Sequence, residues 1–452
     1  MIRELAEKSR KAGSVFARAD QREVDAVVRG IAKYVFDNAE ILAEMAVTET
    51  GMGVYADKVL KNKGKSMIIW NALKGRKSIG VLRHIDEENI TEIAKPMGAV
   101  AAVTPCTNPI VTPMCNAMFA LKGGNTVIVS PHPRAKGCAM FLDAAFRSVI
   151  KSLGIPEDIY QTVPEPTVGL TSELMAACDV VIATGGMAMV KAAYSSGKPS
   201  FGVGAGNVQC IFDRNIDFAA AVKKAVAGRI FDNGIICSGE QSIIAPADCY
   251  DEIIGLFIGN GAYYVDDPEL VKSMGERLFH GGVIEKTAVG QSAARIAEIA
   301  GINVPEGTRL IIVKPKTYGS GSVWSREKMF PVMSAYGYGT WEEAADIAAA
   351  NLSVEGIGHS VAIHSDSKAN IEYAGLRLPV SRILVNQICS TQNGGAFING
   401  LNPTTTLGCG SWGNNSISEN LFYTHLLNVS RIAGVKPDWR QPEDCEIWGD
   451  ES

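Results

Sequence analysis

Apolar residues recur at helical spacing early in the chain: Val24, Val27, Val28, Ile31 and Val35 follow Asp20-Gln21-Arg22-Glu23, which has the form of a capping box. The first third is therefore expected to open with amphipathic helices. From about Met97 the rhythm changes to short apolar runs that stop at Gly, Pro, Thr or Asn. These runs cover Gly98 to Thr104, Thr126 to Ser130, Asp179 to Thr184 and Val208 to Asp213, with helical stretches between them. Alternating buried strands and helices predict an α/β protein whose parallel sheet is covered on both faces, and such sheets bind ligands beyond the carboxyl ends of their strands. The distinctive polar residues fall at those ends. A second α/β segment is expected from about Gly228, dividing the chain into 1–228 and 229–400 before a final segment, 401–452.

Composition narrows the function classes. A chain of 452 residues with 46% hydrophobic and 20% charged content can bury a large core and is too long for one compact unit. The net charge of -5 and the absence of a basic run with interleaved aromatics argue against nucleic acid as a partner. The ten cysteines form no CxxC pair and no Cys/His cluster at ligand spacing, so neither a disulfide framework nor a metal site is expected. That usage fits a reducing cytoplasm. No cleavable leader pattern and no stretch of about 18 apolar residues occurs, which disfavours secretion and a membrane span.

Candidate chemistry lies in a few short segments. Val181-Ile182-Ala183-Thr184-Gly185-Gly186 is a strand entering a Gly-Gly turn, and a helix is expected over Met187 to Tyr194. Such a turn lets a nucleotide phosphate approach backbone N–H groups, although an ordinary strand-to-helix turn reads the same way. Phe201 to Asn207 is a second glycine cluster, but it precedes a strand and so has the wrong context for a phosphate loop. It is expected to bring backbone close to a ligand or to the nucleophile loop. Cys237 sits between Gly234 and Gly239 on an irregular segment before the strand-like Ser242 to Ala245. There a thiolate is accessible, whereas most cysteines are small core residues; Cys106, Cys115 and Cys138 have the same standing on local sequence. His132, past a strand end, and His359, after Gly358, suit ligand contact or acid–base work. His84, His280, His364 and His425 read as structural or surface residues.

Together these segments resemble the CoA-acylating aldehyde dehydrogenases, from near residue 20 to the mid-430s. The matching motifs, in order, are Thr104-Pro105-Cys106-Thr107-Asn108-Pro109, Ser130-Pro131-His132-Pro133-Arg134-Ala135-Lys136, Ala183-Thr184-Gly185-Gly186, Gly202-Val203-Gly204-Ala205-Gly206-Asn207 and Asp232-Asn233-Gly234-Ile235-Ile236-Cys237-Ser238-Gly239-Glu240-Gln241. Glu327-Lys328-Met329-Phe330-Pro331-Val332 and Thr406-Leu407-Gly408-Cys409-Gly410-Ser411-Trp412-Gly413 follow.

The resemblance implies the aldehyde dehydrogenase fold: a Rossmann-like NAD(P) domain, an α/β catalytic domain, and a C-terminal segment that returns to the cofactor domain and makes oligomer contacts. It makes Cys237 the nucleophile. Asn108, with the Cys237 N–H, becomes the oxyanion donor pair. It assigns Thr184, Gly185, Gly186, Thr104, Pro105, Pro133 and Gly204 to the dinucleotide, His132 to its adenosine side, and Glu327 to the nicotinamide ribose. His359 is implied to assist acyl transfer. Relatives that release free acids carry a glutamate in the segment matching Gly202 to Gly206. Here that segment has no carboxylate, which points the thioester towards CoA. NAD or NADP is the expected cofactor and CoA the co-substrate, in a homodimer or homotetramer with contacts after Asn414. The helix-like start at Ile2, without a leading extension of the kind that targets some relatives to microcompartments, is read as a free cytoplasmic enzyme.

Within the family the chain is most similar to CoA-dependent succinate-semialdehyde dehydrogenases, notably over Asn108 to Met114, Ala192 to Gly197 and Asn402 to Asn420. It departs from them at Ser390-Thr391-Gln392-Asn393-Gly394-Gly395 and at Phe330. Thr107, Ser238, Ser390 and Thr391 are expected to hydrogen-bond an anionic substrate tail. Succinate semialdehyde is the expected aldehyde, sulfoacetaldehyde its main rival; acetaldehyde and propionaldehyde stay open.

Overall fold

A computed structural model of the chain describes residues 1–449. Helix α1 (Gln21–Asp37) begins at the capping box read from the sequence. The Asp20 carboxylate accepts from the N–H groups of Arg22 and Glu23, and Glu23 accepts from Asp20 N at 2.7 Å. Val24, Val27, Val28, Ile31 and Val35 are all buried, in a core shared with α2 (Tyr55–Leu73) and α3 (Val111–Lys122).

That core backs a five-stranded parallel sheet made of β1 (Ala99–Thr104), β2 (Thr126–Pro131), β3 (Tyr160–Thr162), β4 (Val180–Thr184) and β5 (Ser200–Val203). The order β3-β2-β1-β4-β5 places the first strand centrally, with the chain winding outwards to both edges. The three strands expected in this part of the chain form within a residue of their expected ends. β5 was hidden in the glycine cluster, because a four-residue edge strand owes its structure to pairing with β4 rather than to its own residues.

Seven parallel strands form the second sheet: β6 (Val208–Phe212), β7 (Glu240–Pro246), β8 (Ala262–Val265), β9 (Leu310–Val313), β10 (Val332–Tyr338), β11 (Gly358–His364) and β12 (Val380–Val385), in the order β8-β9-β10-β7-β6-β11-β12. β6 lies between β7 and β11, so the chain leaves the first sheet between Val203 and Val208. This corrects the expected change near Gly228. A buried strand carries no mark of which sheet it will join, and Gly228 falls inside the helix Phe218–Ile230 that follows β6.

The segment from 401 runs back to the first unit. Leu421, Phe422, Tyr423 and Leu426 join the first core, with the Phe422 ring 5.5 Å from that of Phe119. Leu427–Ala433 then adds an antiparallel strand to Ile90–Pro96. Residues 450–452 of this segment lie outside the described residues. Among the described residues no helix is long and apolar enough to cross a membrane.

Candidate active site

β1, β2, β4 and β5 all end on one cavity of about 540 Å³. Thr104, Pro105, His132, Pro133, Thr184, Gly185, Gly186, Gly204 and Glu327 all line it, as do Asn108 and Cys237. Gly186 caps α4 (Met187–Tyr194) without a side-chain hydrogen bond, so the first N–H groups of that helix stay free beside a lining with almost no charge. A Cβ on Gly204 would overlap the sulfur of Met187. The His132 ring accepts at Nδ1 from Arg134 N at 3.1 Å, which leaves Nε2 as its donor. This donor set, backbone N–H groups with one carboxylate at the far side, fits a dinucleotide. Glu327 accepts from Gly206 N at 3.0 Å, and burial together with Glu355 raises its carboxyl to about 8.

Cys237 lies in the loop between the helix Phe218–Ile230 and β7. Asp232, Asn233 and Gly234 take φ values of 52°, 52° and 71°, three successive left-handed residues that a free chain would avoid. Helix α2 holds them there. The Asp232 carboxylate accepts from Val54 N at 2.8 Å, Lys58 Nζ at 3.1 Å and Lys61 Nζ at 2.5 Å, while its own N–H donates to Asp57 at 2.7 Å. A Cβ on Gly206 would overlap the Cys237 carbonyl oxygen, so the second glycine cluster does press backbone against the nucleophile loop. Burial, with Glu327 and Cys409 nearby, pushes the Cys237 thiol up to about 12 against the opposing pull of Arg382.

Lys61 Nζ also donates to Asn108 Oδ1 at 2.8 Å. An ammonium can only donate, so this contact fixes which end of the amide faces Lys61. The Asn108 NH₂ is thereby left for the cavities, both of which it lines.

The second cavity, about 420 Å³, lies on the other side of Cys237 and shares Asn108, Cys237 and Thr405 with the first. Ser238, Ser390 and Thr391 line it, together with Lys61 and Lys65. The Ser238 hydroxyl is already committed, donating to Ser390 O at 2.9 Å. Thr107 lines the first cavity instead, because it precedes the turn that carries Asn108.

His359 departs from expectation altogether. It is fully buried, lines neither cavity, and leaves both ring nitrogens without partners; burial and Arg382 lower it to about 3. Its flanking glycines are packing positions: a Cβ on Gly358 would overlap the Cys409 carbonyl, and one on Gly356 would crowd Asn207.

The lysines of α2 went unread in the sequence. Lys58, Asn62 and Ser66 continue, at four-residue spacing, the buried stripe that ends in Ile69 and Leu73. Polar residues on a core stripe are the signal that could have found Lys58, whereas Lys61 and Lys65 lie off that stripe.

A family model described as "Aldehyde dehydrogenase family" matches residues 1–405. The chain is 51% identical over 448 residues to a succinate-semialdehyde dehydrogenase (acetylating) from Clostridium kluyveri, covering 99% of each. To a sulfoacetaldehyde dehydrogenase from an Acholeplasma species it is 38% identical over 460 residues, covering 100% of this chain and 94% of that one. Among solved structures, an acetylating aldehyde dehydrogenase from Geobacillus thermoglucosidasius superposes with a TM-score of 0.93 at 35% identity, over 98% of this chain and 97% of that one.

Proposed function

This chain belongs to the aldehyde dehydrogenase family, and on that premise we propose that it interconverts succinate semialdehyde, CoA and NAD(P)⁺ with succinyl-CoA and NAD(P)H. One observation carries the choice of product. Among the described residues, Glu327 is the one carboxylate lining either cavity at Cys237, and it is engaged with Gly206 N on the dinucleotide side. A thioester on Cys237 therefore faces no base placed to activate water on the acyl side, whereas a CoA thiol needs far less activation.

In this reading the Cys237 thiolate adds to the aldehyde carbonyl, and the oxyanion of the resulting thiohemiacetal takes hydrogen bonds from the Asn108 NH₂ and the Cys237 N–H. A nicotinamide bound in the larger cavity supplies a hydride acceptor. Cys237 then carries the acyl group as a thioester until CoA takes it. Thr104, Pro105, His132, Pro133, Thr184 to Gly186 and Gly204 would hold the dinucleotide, with Glu327 on the ribose.

The test is NAD(P)H formation with and without CoA across succinate semialdehyde, sulfoacetaldehyde, acetaldehyde and propionaldehyde. CoA-dependent turnover that is fastest with succinate semialdehyde is expected; turnover to the free acid without CoA would overturn the reading. Sulfoacetaldehyde is the second substrate, favoured by the 38% identical relative that is named for it. We also read the chain as a cytoplasmic homodimer or homotetramer with contacts after Asn414, which light scattering of the purified protein tests.

A further inference from the structure

We propose that Arg229 is a positioning residue: its guanidinium braces the Glu327–Phe330 segment against the nucleophile loop and so fixes the spacing between the nicotinamide ribose and the Cys237 sulfur. This rests on the reaction and the cofactor placement proposed above.

Arg229 lies in the last turn of the helix Phe218–Ile230, just ahead of the nucleophile loop, and is fully buried. One nitrogen, Nη2, donates to both Lys328 O and Phe330 O, the two carbonyls that bracket Met329. The same guanidinium touches the loop. A Cβ on Gly234 would come within 3.1 Å of Nη2 and 3.0 Å of the Phe330 carbonyl carbon, and one on Gly239 would lie 3.5 Å from Nη1. Arg229 therefore fills space left by two missing side chains, those of the glycines on either side of Cys237. Ile235, Cys237, Glu327 and Met329, all from the two braced segments, line the dinucleotide cavity. Glu327 N also donates to Glu355 at 2.8 Å, and Lys328 N to Gln241 Oε1 in β7 at 2.8 Å, but neither of these bonds runs to the loop.

Energetics sets this arginine apart from a packing residue. Among the described residues its Nε and Nη1 find no hydrogen-bond partner, and burial lowers its pKa to about 9 against the opposing pull of Glu240 and Glu327. A buried cation so poorly compensated costs stability that an apolar side chain of like volume would not. What the guanidinium adds is a rigid fork, which sets a distance where a flexible chain would only fill space.

The experiment mixes enzyme and NAD(P)⁺ with succinate semialdehyde in the absence of CoA, where the reaction stops at the Cys237 thioester and NAD(P)H appears as one burst. Arg229→Met should slow the burst about 100-fold, as a misplacement of about 1 Å does, and weaken NAD(P)⁺ binding, followed by protein fluorescence, about fivefold. Iodoacetamide alkylation of Cys237 in the ligand-free protein should stay within about threefold, because α2 still holds the loop through Asp232. Arg229→Gln should match Arg229→Met, whereas Arg229→Lys, whose ammonium can still donate to both carbonyls, should recover much of the burst rate. A normal burst in folded Arg229→Met or Arg229→Gln protein overturns the proposal. So does a burst that falls only in step with alkylation, which would make Arg229 a support of the whole loop. Failure of both variants to fold would make it a stability residue and overturn the proposal too. No burst in wild type, or turnover that continues without CoA, would bring down the proposed reaction first and this proposal with it.

Discussion

The two cavities that meet at Cys237 are made of different material. The larger is walled mainly by the strand ends of the five-stranded sheet and by the loops, glycines and free backbone N–H groups that follow them. The smaller takes its charge from one helix face, Lys61 and Lys65, and closes with loops more than 300 residues further along the chain. A backbone-built site recognises what its ligands have in common. A side-chain-built site recognises what distinguishes one ligand from another, and single substitutions can retune it. Cofactor use should therefore be robust in this chain, and aldehyde choice fragile.

Removing the nucleophile at which the cavities meet should separate them most completely. Cys237→Ala is expected to abolish NAD(P)H formation with every aldehyde while dinucleotide binding, followed by protein fluorescence, persists. Residual turnover would move the nucleophile elsewhere. Next comes the amide between the cavities: Asn108→Ala should lower kcat by about 10²–10³-fold without a matching change in the cofactor KM. Lys61→Met removes the bond that orients that amide and one of the two lysine contacts to Asp232, while leaving the Asn108 NH₂ in place, so its kcat should fall less, about tenfold. An equal or larger loss in Lys61→Met would mean that its hold on Asp232, and through it on the nucleophile loop, outweighs its hold on Asn108.

The thiol itself gives a pH test. With the Cys237 pKa raised to about 12 in the ligand-free protein, the thiolate is scarce at neutrality and grows as pH rises. Alkylation by iodoacetamide should accelerate about tenfold per pH unit between about pH 7 and 9, with no plateau; a plateau below about 9 would show an activated thiolate without ligand. The smallest effect is expected far from both cavities. Asp20→Ala removes the cap of α1 and should cost about 1 kcal/mol of stability, read from denaturant melts, with steady-state kinetics unchanged.

What the sequence made legible divides along the same line. Strand ends announce themselves, because an apolar run that stops at Thr184-Gly185-Gly186 has few local alternatives, and the dinucleotide wall is assembled from such ends. Lys65 announces nothing, since its carbonyl partners lie 329 and 339 residues away and only the folded chain brings them to it. His359 misled in the opposite direction. Glycines beside a histidine suggest freedom, but Gly358 is there because the Cys409 backbone leaves no room for a Cβ. The sheet to which Val208–Phe212 belongs was likewise a long-range fact, settled by its neighbours β7 and β11 and by nothing within the strand.

The wedge of Leu421, Phe422, Tyr423 and Leu426 in the first core has a consequence for how the protein is made. The five-stranded sheet is complete as a sequence once Val203 has been synthesised, yet its core lacks these side chains until roughly 220 residues later. At ribosomal speeds of about 5–20 residues per second, that is a wait of roughly 10–45 s with an unfilled apolar face. A nascent chain in this interval is the form most in need of a chaperone, and a message truncated just short of Leu421 would leave its product in that state for good.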